Sequence, residues 1–202
     1  SAQKNIIASR SPSSGSNYGY WLSLAADGRL MSFSEPITAG WNYIYSTAEY
    51  DDGVWHLGVM VHDGGTSVKL YADGNLVGTQ SVAGANLNGD LFTAGFMIGR
   101  QEDTTYWFPG DMSQVGAWKY STSSALTTKW TDAAHTALYE LGPAGNWKTD
   151  YGDDMEAYFA MGNHDTLTVS SADTGSTVYD RSGEGNNGTT AGTMAAPYAG
   201  HT

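Results

Sequence analysis

Alternating apolar and polar positions in the middle of the chain predict antiparallel strands. Residues 55–62 alternate with the period of two that is typical of a half-buried strand. Residues 68–72 repeat this pattern, and Asp73-Gly74 follows as a hairpin signal because glycine tolerates the positive φ that such turns need. The segment 51–82 is therefore predicted to form a three-stranded meander, whose apolar face needs a second sheet to cover it.

Short strands separated by turn residues also lie on both sides of this meander. Asp27-Gly28 predicts a second hairpin between two apolar segments. Further strands are predicted at 4–10, 18–24, 29–33, 37–50, 92–100 and 110–120. This order of elements predicts an all-β protein with two stacked antiparallel sheets.

Only one segment has helical periodicity. Apolar residues between Leu126 and Leu141 recur at steps of three and four, and Gly142-Pro143 ends the pattern. We predict one short helix around 127–141, with Trp130 buried beneath it.

Two groups of aromatic residues allow two interpretations. Trp41, Tyr43 and Tyr45 alternate along one predicted strand and can pack between the sheets or form an exposed platform for sugar rings. Tyr106, Trp107 and the phenylalanine that follows cannot all point inward, because successive side chains of a strand alternate between its faces. We take Trp41, Tyr43, Tyr106 and Trp107 as candidate ligand-binding residues.

Four segments carry a resemblance to a known family. They are GVWHLGV at 53–59 with VKLYADGNLV at 68–77, FMIGR at 96–100, FPGDMSQVGAW at 108–118 and DRSGEGNNGT at 180–189. This pattern resembles the laminin G-like branch of the concanavalin A-like lectin and glucanase superfamily. The resemblance implies a two-sheet antiparallel jelly-roll sandwich, whose helix usually caps one end, and fits one domain at 1–192 followed by an arm or disordered tail at 193–202.

The resemblance also suggests a setting and a cofactor. The DRSGEGNNGT segment comes last here, whereas it comes first in many laminin G-like domains, and this order is similar to that of structural proteins of tailed bacteriophages. Many relatives bind calcium through loop oxygens, so Asp180 and Asn186 are candidate calcium ligands. As an alternative, Asp180 and Asn186 form turns whose side chains bond the backbone.

Composition excludes several classes of function. The net charge of -12 disfavours nucleic acid and anionic membranes, which both reward basic residues. Zero cysteines exclude disulfide scaffolds and cysteine-based metal sites. No apolar stretch reaches the roughly 20 residues that a membrane-spanning helix needs.

Catalytic patterns are missing from the sequence. Glycan-cleaving jelly rolls place two glutamates around an aspartate on one strand, but Glu49 and Asp51 are followed by Val54 where the second glutamate would stand. His56 and His62 are about 20 Å apart along a strand, too far for one metal ion. The protein is therefore predicted not to be an enzyme.

The sequence leads to a main hypothesis and its alternatives. The main one is a binding or structural domain on a larger assembly, foremost a bacteriophage virion surface protein that contacts other virion or cell-surface proteins and glycans, as a homo-oligomer or assembly component. The first alternative is an extracellular carbohydrate-binding module of a secreted bacterial enzyme or adhesin. The others are a glycoside hydrolase with an unrecognised carboxylate pair and a purely structural cement protein.

Overall fold

The computed structural model describes residues 3–10, 19–35, 42–63, 66–82, 96–100, 106–160 and 177–189. Its strands are β1 Lys4–Arg10, β2 Gly19–Leu24, β3 Arg29–Glu35, β4 Asn42–Glu49, β5 Gly58–His62, β6 Ser67–Ala72, β7 Asn75–Ser81, β8 Phe96–Ile98, β9 Gln114–Trp118, β10 Met155–Ala160, β11 Thr177–Val178 and β12 Gly188–Thr189. Its helices are α1 Ser123–Lys129, α2 Asp132–Glu140 and α3 Trp147–Tyr151. The chain divides into two compact units.

Unit 1 comprises Ser1–Gly110 and Thr122–Tyr139 and contains a five-stranded antiparallel sheet. The strand order in this sheet is β4-β3-β2-β1-β8. The predicted hairpin between β2 and β3 is confirmed: Gly28 adopts φ 83°, a conformation that costs glycine little because it has no Cβ. Strand β3 pairs with β2 through this hairpin and with β4 on its other side.

The predicted meander is also confirmed as a three-stranded sheet in the order β5-β6-β7. Asp73 and Gly74 form its second turn with φ of 50° and 78°, as a tight hairpin of this kind requires. The first strand begins at Gly58. Trp55 and His56, which the alternation included in that strand, lie in the loop before it.

The two sheets of unit 1 enclose a hydrophobic core. The five-stranded sheet and the meander both contribute buried aliphatic side chains to it, namely Leu22, Leu24, Leu30, Ile44, Val68, Leu70, Ala72 and Val82. Close packing leaves no room at Gly78, where an added Cβ would lie 2.3 Å from Ile44 Cγ2. This packing confirms the predicted antiparallel sandwich, because alternate residues of both sheets supply its interior.

The prediction of a single helix is wrong. α1 ends at Lys129, and a new helix starts at Asp132, where the Thr131 hydroxyl accepts a hydrogen bond from Ala134 N at 3.2 Å. This side-chain cap satisfies an amide that the first turn of a helix leaves unpaired. The predicted burial of Trp130 is confirmed, since only 7% of its surface is exposed.

The second helix contacts the meander at its second turn, where the Thr136 hydroxyl donates to Gly74 O at 3.4 Å, and the capping of one end of the sandwich stays a prediction. The ring of His135 stacks on Tyr71 with 3.7 Å between centroids, and the Tyr71 hydroxyl donates to Asp132 at 3.0 Å. Tyr71 points away from the core, because its neighbour Leu70 is buried inside the sandwich. Helix α2 therefore packs against the outer face of the meander.

Unit 2 comprises Asp111–Ser121 and Glu140–Thr202. Strands β9 and β10 pair antiparallel, and β11 pairs with β12. Trp147, at the start of α3, lies 6.1 Å from both Trp118 and Tyr158, measured between ring centroids. The predicted domain span of 1–192 stays a prediction, and the tail at 193–202 lies outside the described residues.

Candidate functional site

The face of the five-stranded sheet that points away from the aliphatic core, here called its outer face, carries a row of aromatic side chains, of which Phe33 is buried and Trp21 and Tyr43 are half-buried. Antiparallel register places Trp21 opposite Phe33 and Phe33 opposite Tyr43. The ring centroids of the first pair are 3.6 Å apart in a stacked arrangement, and those of the second pair are 4.9 Å apart. Cross-strand aromatic pairs of this kind stabilise a sheet and hold each ring in a fixed orientation.

Tyr45 extends this row and is its most accessible member. Its ring lies 6.2 Å from Tyr43 in a nearly parallel orientation. Tyr45 is 39% exposed, whereas Phe33 is only 1% exposed. Among the described strands β4 is at the edge of this sheet, and Tyr45 is the member of the row that reaches solvent.

Arg29 completes this edge site. Its guanidinium carbon lies 4.8 Å from the centroid of the Tyr45 ring, within cation–π range. Its Nε donates to Asp27 at 2.8 Å, and this hydrogen bond lowers the pKa of the Asp27 carboxyl. Arginine has further N–H donors on its terminal nitrogens, so the site offers an aromatic face beside hydrogen-bond donors.

The predicted aromatic residues do not form one site. Tyr43 lies on the outer face of β4 rather than between the sheets, because its neighbour Ile44 points into the core. Tyr43 and Tyr45 are therefore not part of the aliphatic core between the two sheets of unit 1, and their role as ligand-binding residues stays a prediction. Trp41 lies outside the described residues.

Tyr106 and Trp107 lie beside another part of the sheet. The carbonyl of Tyr106 accepts a hydrogen bond from Asn5 N of β1 at 3.2 Å. Strands β2 and β3 separate β1 from β4, which is a distance of roughly 14 Å at ordinary strand spacing. Trp107 is 50% exposed, which confirms that one of the three consecutive aromatics reaches the surface, and Arg100 lies 5.7 Å from its ring.

The loop at Asp180 favours the turn-forming interpretation over a calcium site. Oδ1 of Asp180 accepts hydrogen bonds from Tyr158 N and Ser182 N, and Oδ2 accepts from Ser182 Oγ and Asn186 N, all at 2.8–2.9 Å. The side-chain amide of Asn186 donates to Glu156 O. Protein donors thus occupy all four acceptor positions of the carboxylate, which does not fit a calcium ligand.

The electrostatics of this loop agree with its hydrogen bonds. Burial raises the pKa of Asp180, but the hydrogen bonds from Ser182, Tyr158 and Asn186 outweigh it and bring the pKa below its ordinary value. The carboxylate is therefore held in its ionised form by the protein itself. Across the described part of the chain, no group of three or more histidine or acidic residues could hold a metal ion.

Sequence reasoning missed part of the edge site. Arg29 was not a candidate, because its approach to Tyr45 depends on the pairing of β3 with β4 and on a register irregularity between Arg29 and Met31. The available signal was a basic residue on the predicted strand that directly precedes the alternating aromatic strand. Trp21 was likewise placed on the site only by strand register.

Comparison with known proteins establishes the family. A laminin G-type model described as the concanavalin A-like lectin/glucanases superfamily matches residues 1–126. This chain therefore belongs to the concanavalin A-like lectin/glucanases superfamily. A search of curated protein sequences finds no match.

Solved structures that are similar to this chain share little sequence identity with it. A candidate carbohydrate-binding protein from Bacteroides ovatus is 18% identical with a TM-score of 0.61, over 98% of this chain and 51% of that one. The CBM40 module of a Ruminococcus gnavus IT-sialidase, bound to α2,3-sialyllactose, is 14% identical with a TM-score of 0.43, over 53% and 60% of the two chains. This chain thus spans about half to three fifths of their lengths.

A third structure is more distant. It is an S-layer domain-containing protein from Clostridium thermocellum, 17% identical with a TM-score of 0.33, over 68% of this chain and 63% of that one.

Among the described residues, no helix has the length and apolar character needed to cross a bilayer.

Proposed function

We propose that this chain is a non-catalytic glycan-binding domain of an extracellular or cell-surface protein. The observation that carries the proposal is the aromatic row on the outer face of the five-stranded sheet, which ends in the exposed ring of Tyr45 beside Arg29. Sugar rings present C–H faces that pack on aromatic rings and hydroxyl groups that need polar partners. The edge site supplies both.

The site is also organised before a ligand arrives. Tyr45 packs on Tyr43, and Asp27 holds the Arg29 side chain through its Nε. Ligand binding therefore fixes few additional side-chain rotamers of the protein, which lowers the entropic cost of association. The likeness to the Bacteroides ovatus protein supports the proposal, since that structure extends over nearly all of this chain.

The proposal includes the absence of catalysis. Its support is the missing glutamate pair around Asp51 in the sequence, because jelly-roll glycanases depend on such carboxylates. Incubation with a panel of polysaccharides, followed by measurement of reducing ends, tests this part. Release of reducing sugar that grows with protein concentration would contradict it.

A glycan array followed by calorimetric titration tests the binding itself. Tyr45→Ala should weaken binding of the best glycan about tenfold, since central aromatic anchors contribute well over 1 kcal/mol. Tyr45→Phe should keep most of the affinity because the ring remains. Tyr139→Ala is the matched control, since Tyr139 is 42% exposed on α2, away from the five-stranded sheet.

Two results would overturn the proposal. One is that the wild-type chain retains no glycan on the array, and the other is that Tyr45→Ala and Tyr139→Ala bind equally well.

The virion-surface hypothesis is a separate proposal that rests on the order of motifs in the sequence. Mass spectrometry of purified virus particles tests it, and absence of the chain from every particle would contradict it.

A further inference from the structure

The loop between β4 and β5 contains a histidine held between two carboxylates. Nδ1 of His56 lies 2.8 Å from Asp73 Oδ2, and Nε2 lies 3.0 Å from Asp52 Oδ1. A neutral imidazole has one N–H, whereas ionised carboxylates only accept hydrogen bonds. Both bonds therefore form together only when His56 is the imidazolium cation. We name Asp52, His56 and Asp73 the His56 clasp.

Backbone hydrogen bonds fix the two carboxylates of the clasp. Asp73 Oδ1 accepts from Leu57 N at 2.9 Å, and Asp73 N donates to Leu57 O at 2.9 Å. Asp52 Oδ1 also accepts from Val54 N at 3.1 Å. The clasp thus ties the loop to the turn between β6 and β7 and constrains its backbone on both sides of Trp55.

This constrained loop presents two apolar side chains at the surface. Val54 is 65% exposed and Trp55 is 37% exposed. Part of the Trp55 ring is therefore accessible to a ligand, on a loop whose backbone the His56 clasp constrains. The exposed neighbours Asp51 and Asp52 add carboxylate oxygens that accept hydrogen bonds from hydroxyl groups.

We propose that Trp55 forms a second sugar-stacking subsite, selective for uncharged sugars, and that the His56 clasp positions it. This inference rests on the proposed glycan-binding function. An uncharged ring fits because the two neighbouring aspartates repel an acidic sugar and accept hydroxyl protons. His56 is a positioning residue, because it acts on the ligand through the loop.

Protonation of His56 links this subsite to pH. Within the described residues the ring faces Asp52, Asp73 and the ring of Tyr50, whose centroid is 5.0 Å away in a T-shaped arrangement. Burial lowers the pKa of His56, but the hydrogen bonds to Asp52 and Asp73 outweigh it and raise the pKa above its ordinary value of 6.5. The clasp is therefore complete below pH 6.5 and loses one bond as the pH rises through the raised pKa.

The bond to Asp52 is the one that opens. The side chain of Asp52 is 57% exposed, whereas that of Asp73 is 22% exposed and is bound to Leu57 N. Water replaces an exposed carboxylate as the hydrogen-bond partner of His56 more easily than a half-buried one. Alkaline pH therefore frees the part of the loop that carries Trp55.

Calorimetry with an uncharged oligosaccharide that the array retains tests this subsite at pH 6 and pH 9. Trp55→Ala should weaken binding about tenfold at pH 6, as expected for a central aromatic anchor, and Trp55→Phe should restore most of it. Wild-type affinity should fall by pH 9. His56→Gln should bind weakly at both pH values, with no pH dependence.

The outcomes separate this inference from the proposed function. Weaker binding for Tyr45→Ala with unchanged binding for Trp55→Ala would overturn the Trp55 subsite and leave the glycan-binding proposal in place. No binding by the wild-type chain would overturn both. A second measurement is independent of any ligand: nitrogen NMR should find both ring nitrogens of His56 protonated at pH 6, and a neutral ring at that pH would refute the clasp.

Discussion

A buried histidine makes the stability of unit 1 depend on pH. His135 is 0% exposed, and its ring lies between Tyr71 at 3.7 Å and Trp130 at 5.2 Å, measured between centroids. Burial lowers the pKa of His135 to about 4, although the nearby Asp132 carboxylate opposes the shift and Lys69 adds to it. The folded protein therefore keeps this ring neutral.

The size of the effect follows from the two pKa values. The unfolded chain takes up a proton near pH 6.5, but the folded chain does so only near pH 4. The free energy of unfolding is thus highest above pH 6.5 and falls as the pH drops towards 4. The loss is about 2 kcal/mol by pH 5 and roughly 3 kcal/mol in full.

Urea unfolding of the wild type and of His135→Phe measures this contribution. Phenylalanine keeps an aromatic ring in the stack and does not titrate, and subtraction of the two curves removes the contributions of other groups. Between pH 7.5 and pH 5 the wild type should lose about 2 kcal/mol more than His135→Phe. Parallel pH profiles for the two proteins would refute the reasoning.

Two further substitutions test the packing of each unit by urea unfolding. Leu70→Ala should destabilise unit 1 by about 2–5 kcal/mol, because Leu70 is 0% exposed in the core of the sandwich, and a loss below 1 kcal/mol would contradict this core. Asp180→Ala should destabilise unit 2 by about 2 kcal/mol or more, because four donors lose their acceptor. The exposed Glu184→Ala is its control, and equal stability of the two variants would argue against the hydrogen-bonded loop.

Local signals in the sequence predicted the hairpins well. Asp73-Gly74 and Asp27-Gly28 form turns because their conformations depend on the residues of the turn itself. The break between α1 and α2 was missed, since apolar residues continue through Trp130 with helical spacing. The cap at Thr131 followed by Asp132 was the signal for a new helix.

The orientation of β4 required tertiary structure. Tyr43, Ile44 and Tyr45 are all apolar enough to face a core, so alternation alone does not decide which side is buried. The close packing of Ile44 over Gly78 decides it, and Gly78 lies 34 residues further along the chain. Because Ile44 faces the core, Tyr43 and Tyr45 on either side of it face the outer side of the sheet, where they form part of the edge site.

NMR chemical-shift mapping with the glycan selected on the array tests the central claim most directly. If the chain binds glycans at the edge of the five-stranded sheet, amide signals in Arg29–Glu35 and Asn42–Glu49 should shift in a saturable way. The same titration of Tyr45→Ala should produce much smaller shifts at equal ligand concentration. Saturable shifts that leave these two strands unchanged would contradict the account.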